Sequence, residues 1–353
     1  MDLIFTIFRD LLVQLLPSRF SKYIIKPKEF VWLVHPRDLS DFFKKMHFLK
    51  IFPGWFISFM IRFLPPFIIS NFFIEQKNLK GYVIAIPLLP HQINYNPKLA
   101  AKKTKRALKF AEKIGAKYIS LGGFLPSIVY KNGFDKRFPF VFFDGTNLLA
   151  RLTLQTIEEI LSGDKTSREK LVFGIIGATT KTGSILTKLL VQEYIYKIIL
   201  FGKTEEHLTK LREECLEIRK DIHIEISTNL ADIDECDFVI LTAYLTEGEV
   251  IMNSLKKNAI FLSAIEPVSP FVFELEKTRK DVKLIKGISV KTPGVTYEGY
   301  DFGLPKGNSF VCITEGIILI DDKQATDSLL SFNLKRSLNT VKELFNKYKF
   351  NRV

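Results

Sequence analysis

Between Leu171 and Lys203 the apolar positions change period twice. Leu171–Ile176 is a continuous apolar run, too short for a free helix and suited to a strand buried on both faces. A turn follows, Gly177-Ala178-Thr179-Thr180-Lys181-Thr182-Gly183. In Ser184–Tyr196 the residues Ile185, Leu186, Leu189, Leu190 and Ile195 share one helical face. Lys197–Phe201 is a second apolar run and ends at Gly202-Lys203-Thr204. Strand, glycine turn, helix, strand is the opening unit of a dinucleotide-binding fold.

The alternation continues on both sides. Downstream, Glu205–Lys220 reads as a helix, and His223–Ile226, Asp237–Thr242, Ala259–Ile265 and Lys283–Gly287 read as strands. Upstream, Gly81–Leu88 is a strand, Asn96-Pro97 starts a helix that runs to about Ile114, and Lys117–Leu121 is another strand. Residues 1–80 read as mostly helical. Leu148–Leu161 is a connecting helix and Ser162–Lys170 a polar linker. Lys291–Asn308 reads as a loop long enough to cover an active site, and Ser328–Tyr348 as an amphipathic helix. The expected class is α/β: an N-terminal α/β substrate domain over residues 1–150, a Rossmann-type doubly wound parallel sheet over 162–290, and a C-terminal helical segment over 291–353 that returns to the first domain.

The glycine turn carries the first candidate chemistry. Gly177 permits a tight turn, Gly183 lets the helix sit close to the sheet, and the N–H groups of Ala178 to Gly183 can hold a pyrophosphate. Thr180 stands where the middle glycine of such a turn belongs, which puts a Cβ near the phosphate and offers a hydroxyl in exchange. At the end of the second strand, Lys203 and Thr204 replace the acid that would select NAD by its ribose hydroxyl, so the expected cofactor is NADPH. Ala243, past the strand Asp237–Thr242, completes this candidate cofactor site.

Charge and composition add partners. The chain has 353 residues and a net charge of +13, which points to an acidic partner or an anionic membrane surface. Helix Asn96–Ile114 concentrates that charge in Lys98, Lys102, Lys103, Lys105, Arg106, Lys109 and Lys113. No nucleic-acid reading module accompanies it. Three cysteines, Cys215, Cys236 and Cys312, make no paired framework, which fits a cytoplasmic protein, and no histidine or cysteine spacing suits a metal. The opening MDLIFTIFRDLLVQLLPSRF lacks the basic start and cleavage site of a signal peptide and reads as an amphipathic helix lying on something apolar. Phe48–Phe73 is interrupted by Lys50, Arg62 and three prolines, so it is poor as a membrane span and reads as a core helix pair, an interfacial segment, a partner-binding surface or the lining of an apolar pocket.

Ser120-Leu121-Gly122-Gly123-Phe124, Gly145-Thr146-Asn147, Gly177-Ala178-Thr179 with Gly183, Leu200–Thr204 and the block around Cys312 occur in an order and spacing that resembles the long-chain acyl-acyl-carrier-protein reductases. The resemblance runs from about His35 to Gly316. It implies NADPH-dependent reduction of an acyl thioester, on carrier protein or CoA, to a fatty aldehyde, with Cys312 as nucleophile and Glu315 three residues on as its partner. Alone, a cysteine in an apolar run is a small buried hydrophobe. Glu315 shares a face with Cys312 if Ser309–Ile320 is helical and drops out if it is a strand. A shikimate- or amino-acid-type dehydrogenase, working without covalent catalysis, is the alternative.

Overall fold

The structure is a computed structural model that describes residues 3–44, 47–161, 171–192, 195–300, 302–320, 343, 345–346 and 350–352. The polar linker and most of the helix expected over 328–348 lie outside them. The chain forms two units, the first chiefly Met1–Gly145 with Val290–Asp322, the second chiefly Thr146–Ser289.

Unit 1 begins with helices α1 (Leu3–Leu15) and α2 (Ser18–Ile24), followed by strand β1 (Phe30–Val34), helix α3 (Leu39–Phe43) and helix α4 (Gly54–Ile61). Strands β2 (Phe67–Ile74) and β3 (Leu79–Ala85) lead into helices α5 (Pro90–Tyr95) and α6 (Pro97–Lys113). Strand β4 (Tyr118–Leu121), helix α7 (Leu125–Lys131) and strand β5 (Val141–Phe143) complete the N-terminal part. The six-stranded sheet includes β13, defined below, and runs β13-β2-β3-β1-β4-β5. Strands β3, β1, β4 and β5 are parallel, and β2 pairs antiparallel with β3.

The largely helical reading of residues 1–80 holds for α1 to α4 and misses the strands β1 and β2. All five residues of β1 are buried, so the strand is apolar throughout and has no alternation to set it apart from a buried helix. The greasy stretch Phe48–Phe73 likewise splits, into α4 and most of β2. Helix α6 starts as read: Pro97 occupies its first position, and the Asn96 side chain accepts from the Leu99 N–H as a cap.

Unit 2 opens with helix α8 (Thr146–Ile160). Ala150, Leu154 and Ile157 of this helix join the same core as Leu186, Leu189 and Leu190. The alternation then runs β6 (Val172–Ile176), α9 (Lys181–Gln192), β7 (Lys197–Phe201), α10 (Glu205–Ile218), β8 (His223–Ser227), β9 (Phe238–Leu241), α11 (Glu249–Ser254), β10 (Ile260–Ser263), α12 (Pro270–Thr278) and β11 (Lys283–Lys286). All strands of this sheet are parallel, in the order β11-β10-β9-β6-β7-β8. That is the doubly wound arrangement in which the order reverses between the first strand, β6, and the fourth, β9.

The chain then adds β12 (Ser289–Lys291), β13 (Val295–Gly299), β14 (Asn308–Phe310) and helix α13 (Val311–Leu319). Strand β13 pairs antiparallel with β2 from Val295 opposite Ile74 to Gly299 opposite Ser70. The covering loop expected over Lys291–Asn308 is therefore largely pinned. Phe302 lies against Trp32, ring centroids 4.7 Å apart, and its carbonyl accepts from Arg37 Nη2 at 2.8 Å. Among the described residues no helix is long and apolar enough to cross a membrane.

Candidate functional site

In unit 2 the glycine turn is a tight point of the sheet's carboxyl edge. Gly177 has φ +81°, and a Cβ there would come within 2.5 Å of the Ala243 Cβ. A Cβ on Gly183 would meet the Gly177 carbonyl oxygen at 2.3 Å. Helix α9 thus sits as close to β6 as two glycines permit, which puts its first turn at the point where the strand order reverses. The first-turn N–H groups of a helix have no partner within it, and such an end favours an anion.

Thr180 does something the sequence did not show. Its hydroxyl accepts from the Gly183 N–H at 3.0 Å and lies 3.4 Å from the Thr242 hydroxyl, which in turn donates to the Ile176 and Gly177 carbonyls. The Thr180 side chain is therefore a helix cap directed at β9, and the hydroxyl offered to a phosphate is already bonded within the protein. The N–H groups of Gly177 and Ala178 are likewise taken, both by the Phe201 carbonyl at 3.0 Å. Thr179, Lys181, Lys203 and Thr204 are exposed or half-exposed. A Cβ on Gly202 would lie 3.5 Å from Thr179 Oγ1, so the Thr179 hydroxyl and the residues beginning at Lys203 share the end of β7. At the carboxyl end of β10, Ser263 Oγ is buried with no hydrogen-bond partner. A cationic, hydroxyl-bearing strand end beside a helix N-terminus, with an orphan hydroxyl further along the same edge, could hold a dinucleotide.

In unit 1 the strand ends gather around Cys312. Segment Val311–Leu319 is helical, so Cys312 lies in the first turn of α13 and Glu315 is on the same face. Ser120 Oγ, on β4, donates to the Cys312 carbonyl at 2.7 Å. Gly145, just past β5 with φ +76°, approaches so closely that a Cβ would fall 2.6 Å from Cys312 Cα. The Gly145 N–H donates to Glu315 Oε1 at 2.9 Å, and Glu315 is 3% exposed. Nearby, Tyr130 is hydrogen-bonded to Asp144; burial, then that carboxylate, pushes its phenol upward.

As a residue Cys312 is partly exposed, whereas Cys215 and Cys236 are buried. Burial pushes the Cys312 thiol up to about 12, and the Glu315 charge adds to this. The N–H groups of Ile313 and Cys312 and the Trp32 indole pull the other way. Trp32 Nε1 has no partner of good hydrogen-bond geometry, so its effect on the sulfur is electrostatic rather than a formed bond. Trp32 in turn is packed by Phe302 and Phe310, and Tyr297 donates or accepts at Ser309 Oγ, 3.0 Å away. His35 is no base for the thiol. Its Nδ1 is bonded to the Pro36 carbonyl and its Nε2 to the Phe124 N–H, and burial lowers its pKa to about 4. Of this constellation the sequence singled out only Cys312 and Glu315. Ser120 and Gly145 sit in motifs already noted, but Trp32, Tyr130 and Asp144 carried no local signal.

No protein-family model and no curated protein matches the chain. Among solved structures it is similar to lactate dehydrogenase from Eimeria maxima with NADH and oxamate, at 14% identity over 33% of this chain and 43% of that chain, TM-score 0.28. It is also similar to a dipicolinate synthase from Bacillus halodurans, at 10% identity over 51% and 62%, TM-score 0.34. A third is Bacillus subtilis protein yhfP with NAD bound, at 12% identity over 41% and 44%, TM-score 0.29. The chain spans less than two thirds of each. Likenesses this distant carry no argument about activity, and the α/β assignment stands on the sheets themselves.

Proposed function

We propose that the protein is an NADPH-dependent reductase that converts a long-chain acyl thioester, on carrier protein or CoA, to a fatty aldehyde through an acyl-enzyme on Cys312. The observation that carries this reading is the setting of Cys312: a cysteine in the first turn of a helix, its carbonyl held by Ser120 and its backbone closely approached by Gly145.

The chemistry divides between the units. The Cys312 sulfur, as thiolate, attacks the thioester carbonyl carbon, a new C–S bond forms, and the carrier's thiol leaves with a proton. Partial charge at the helix start and the Trp32 indole favour the thiolate. Glu315 holds the Gly145 turn by accepting its N–H, which makes it a positioning residue for the cysteine. In unit 2, Lys203 and Thr179 would receive the 2′-phosphate end of NADPH, and the first turn of α9 its pyrophosphate. When bound, NADPH supplies the hydride that, with one proton, releases the acyl group as aldehyde and restores the thiol.

Incubation with a long-chain acyl-CoA in the absence of NADPH, followed by intact-protein mass spectrometry, tests the reading. One acyl adduct, absent from Cys312→Ser and discharged as aldehyde on adding NADPH, is the expected result. Wild-type turnover by Cys312→Ser would favour direct hydride transfer in a dehydrogenase of shikimate or amino-acid type.

A further inference from the structure

Helix α1 is built inside out. Its buried positions are Thr6, Asp10 and Val13, and its exposed ones include Phe5, Phe8 and Leu15, the last two each 73% exposed. The inner face is held by polar bonds: Asp10 accepts the Ile68 N–H at 2.6 Å and the Arg9 guanidinium at 2.7 Å, and Gln14 Nε2 donates to the Pro66 carbonyl at 2.7 Å. A soluble helix places its apolar stripe inward. Here the spacing of Phe5, Phe8 and Leu15 gives a coherent apolar stripe, and it faces out.

Helix α4 and the turn after it repeat the pattern. Trp55 is 74% exposed, and Phe59 and Phe63 are exposed as well. The Arg62 guanidinium lies over both of those rings, 4.1 and 5.1 Å from their centroids. The two helices share α6 as neighbour. Lys113 Nζ donates to the Gln14 and Leu16 carbonyls at the end of α1, and Lys103 Nζ to the Ile61 and Leu64 carbonyls at and just beyond the end of α4. The outer side of α6 exposes Lys102, Lys105 and Lys109. The only acid of α1 is the buried Asp10, α4 has none, and α6 has only Glu112.

We propose that α1, α4 and α6 form a docking surface for an anionic lipid bilayer, with the aromatic side chains entering the interface and the cations meeting the headgroups. The proposal goes beyond the reductase reading and stands or falls apart from it. Exposed Phe, Trp and Leu flanked by cations match a bilayer interface, where rings sit at headgroup depth and Arg or Lys stems lie along apolar surface. An acidic protein would answer the charge but would leave this many large rings without an apolar counterpart.

The full chain is mixed with vesicles of equal parts phosphatidylcholine and phosphatidylglycerol, and with vesicles of phosphatidylcholine alone, and binding is read by co-sedimentation. Trp55 supplies a second readout, because the other tryptophan of the chain, Trp32, is 1% exposed. The expected result is binding to the anionic vesicles, weakened by salt, with a blue shift of Trp55 emission. The double variant Phe8→Ser/Phe59→Ser alters only exposed side chains. It should weaken binding at least about tenfold with unchanged circular dichroism, since each ring withdrawn from lipid is worth roughly that factor. No binding at low salt, equal binding to both vesicles, or a double variant that binds like the wild type would each overturn the proposal. So would loss of binding to an acidic carrier protein in that variant with vesicles left unbound, which would assign the surface to a protein partner.

Discussion

The backbone N–H of Gly145 donates to Glu315 Oε1 at 2.9 Å, across 170 positions of sequence, and this bond fixes the wall of the Cys312 site. Gly145→Ala would force a left-handed residue (φ +76°) to carry a Cβ 2.6 Å from Cys312 Cα. The expected loss is ~2–4 kcal/mol of stability, measured by urea unfolding, together with loss of Cys312 acylation.

Glu315 itself separates two roles. If it positions, Glu315→Gln keeps an oxygen for the Gly145 N–H and retains most of the turnover with an unshifted pH profile. Glu315→Ala leaves that buried N–H unpaired and should cost about 1–3 kcal/mol. A Gln variant that is folded but inactive would make Glu315 a proton carrier instead.

His35 sets an acid limit on unit 1. Its folded pKa is lowered to about 4 by burial, against an ordinary value of 6.5. Between those values the unfolded chain binds a proton that the folded one does not, so stability rises with pH across that window and falls as pH drops through it. Protonation would also break the bond from the Phe124 N–H to Nε2. Urea midpoints for wild type and His35→Gln should converge above pH 6.5 in their pH dependence and diverge below it; parallel curves throughout would remove the assignment.

Alkylation reads Cys312 directly. With the thiol pushed up to about 12, the rate of carboxymethylation of the free protein should climb about tenfold per pH unit through the range 8 to 10, with Cys312 modified before Cys215 and Cys236. A rate that levels off near neutral pH would mean the thiolate is already formed without substrate.

Cofactor choice rests on Lys203. Lys203→Ala should weaken NADPH binding by on the order of 1.5–3 kcal/mol, the worth of a charge-assisted phosphate contact, and leave NADH nearly unchanged. Titration by nicotinamide fluorescence separates the two, and equal wild-type affinity for both would remove the 2′-phosphate assignment.

How legible the molecule is in its sequence follows from the range of its interactions. Unit 2 can be read because its signals are local: Leu171–Ile176, the glycine turn and Lys197–Phe201 are contiguous, and each announces one element. In the first 80 residues the helices can be read, but not β1, which is buried on both faces, nor the outward direction of the apolar stripe of α1. Hydrophobic periodicity names a face without saying which way it looks. The thiol site is legible only at its centre. Cys312 and Glu315 are three residues apart, whereas Ser120 and Gly145 reach them from strand ends nearly two hundred residues earlier. Thr180 misleads for the opposite reason: it matches a phosphate motif locally, but its partner, Thr242, follows another strand.

The split of unit 1 around unit 2 has a consequence for synthesis. When the ribosome has delivered residues 146–289, every strand of the second sheet exists and that sheet can form. The first sheet at that moment lacks β13, so β2 stands with an unpaired edge of Phe and Ile, and the helix bearing Cys312 has not been made. An exposed apolar edge is where nascent chains associate wrongly. Cys312 therefore follows the whole second sheet, in the same stretch of chain that covers the edge.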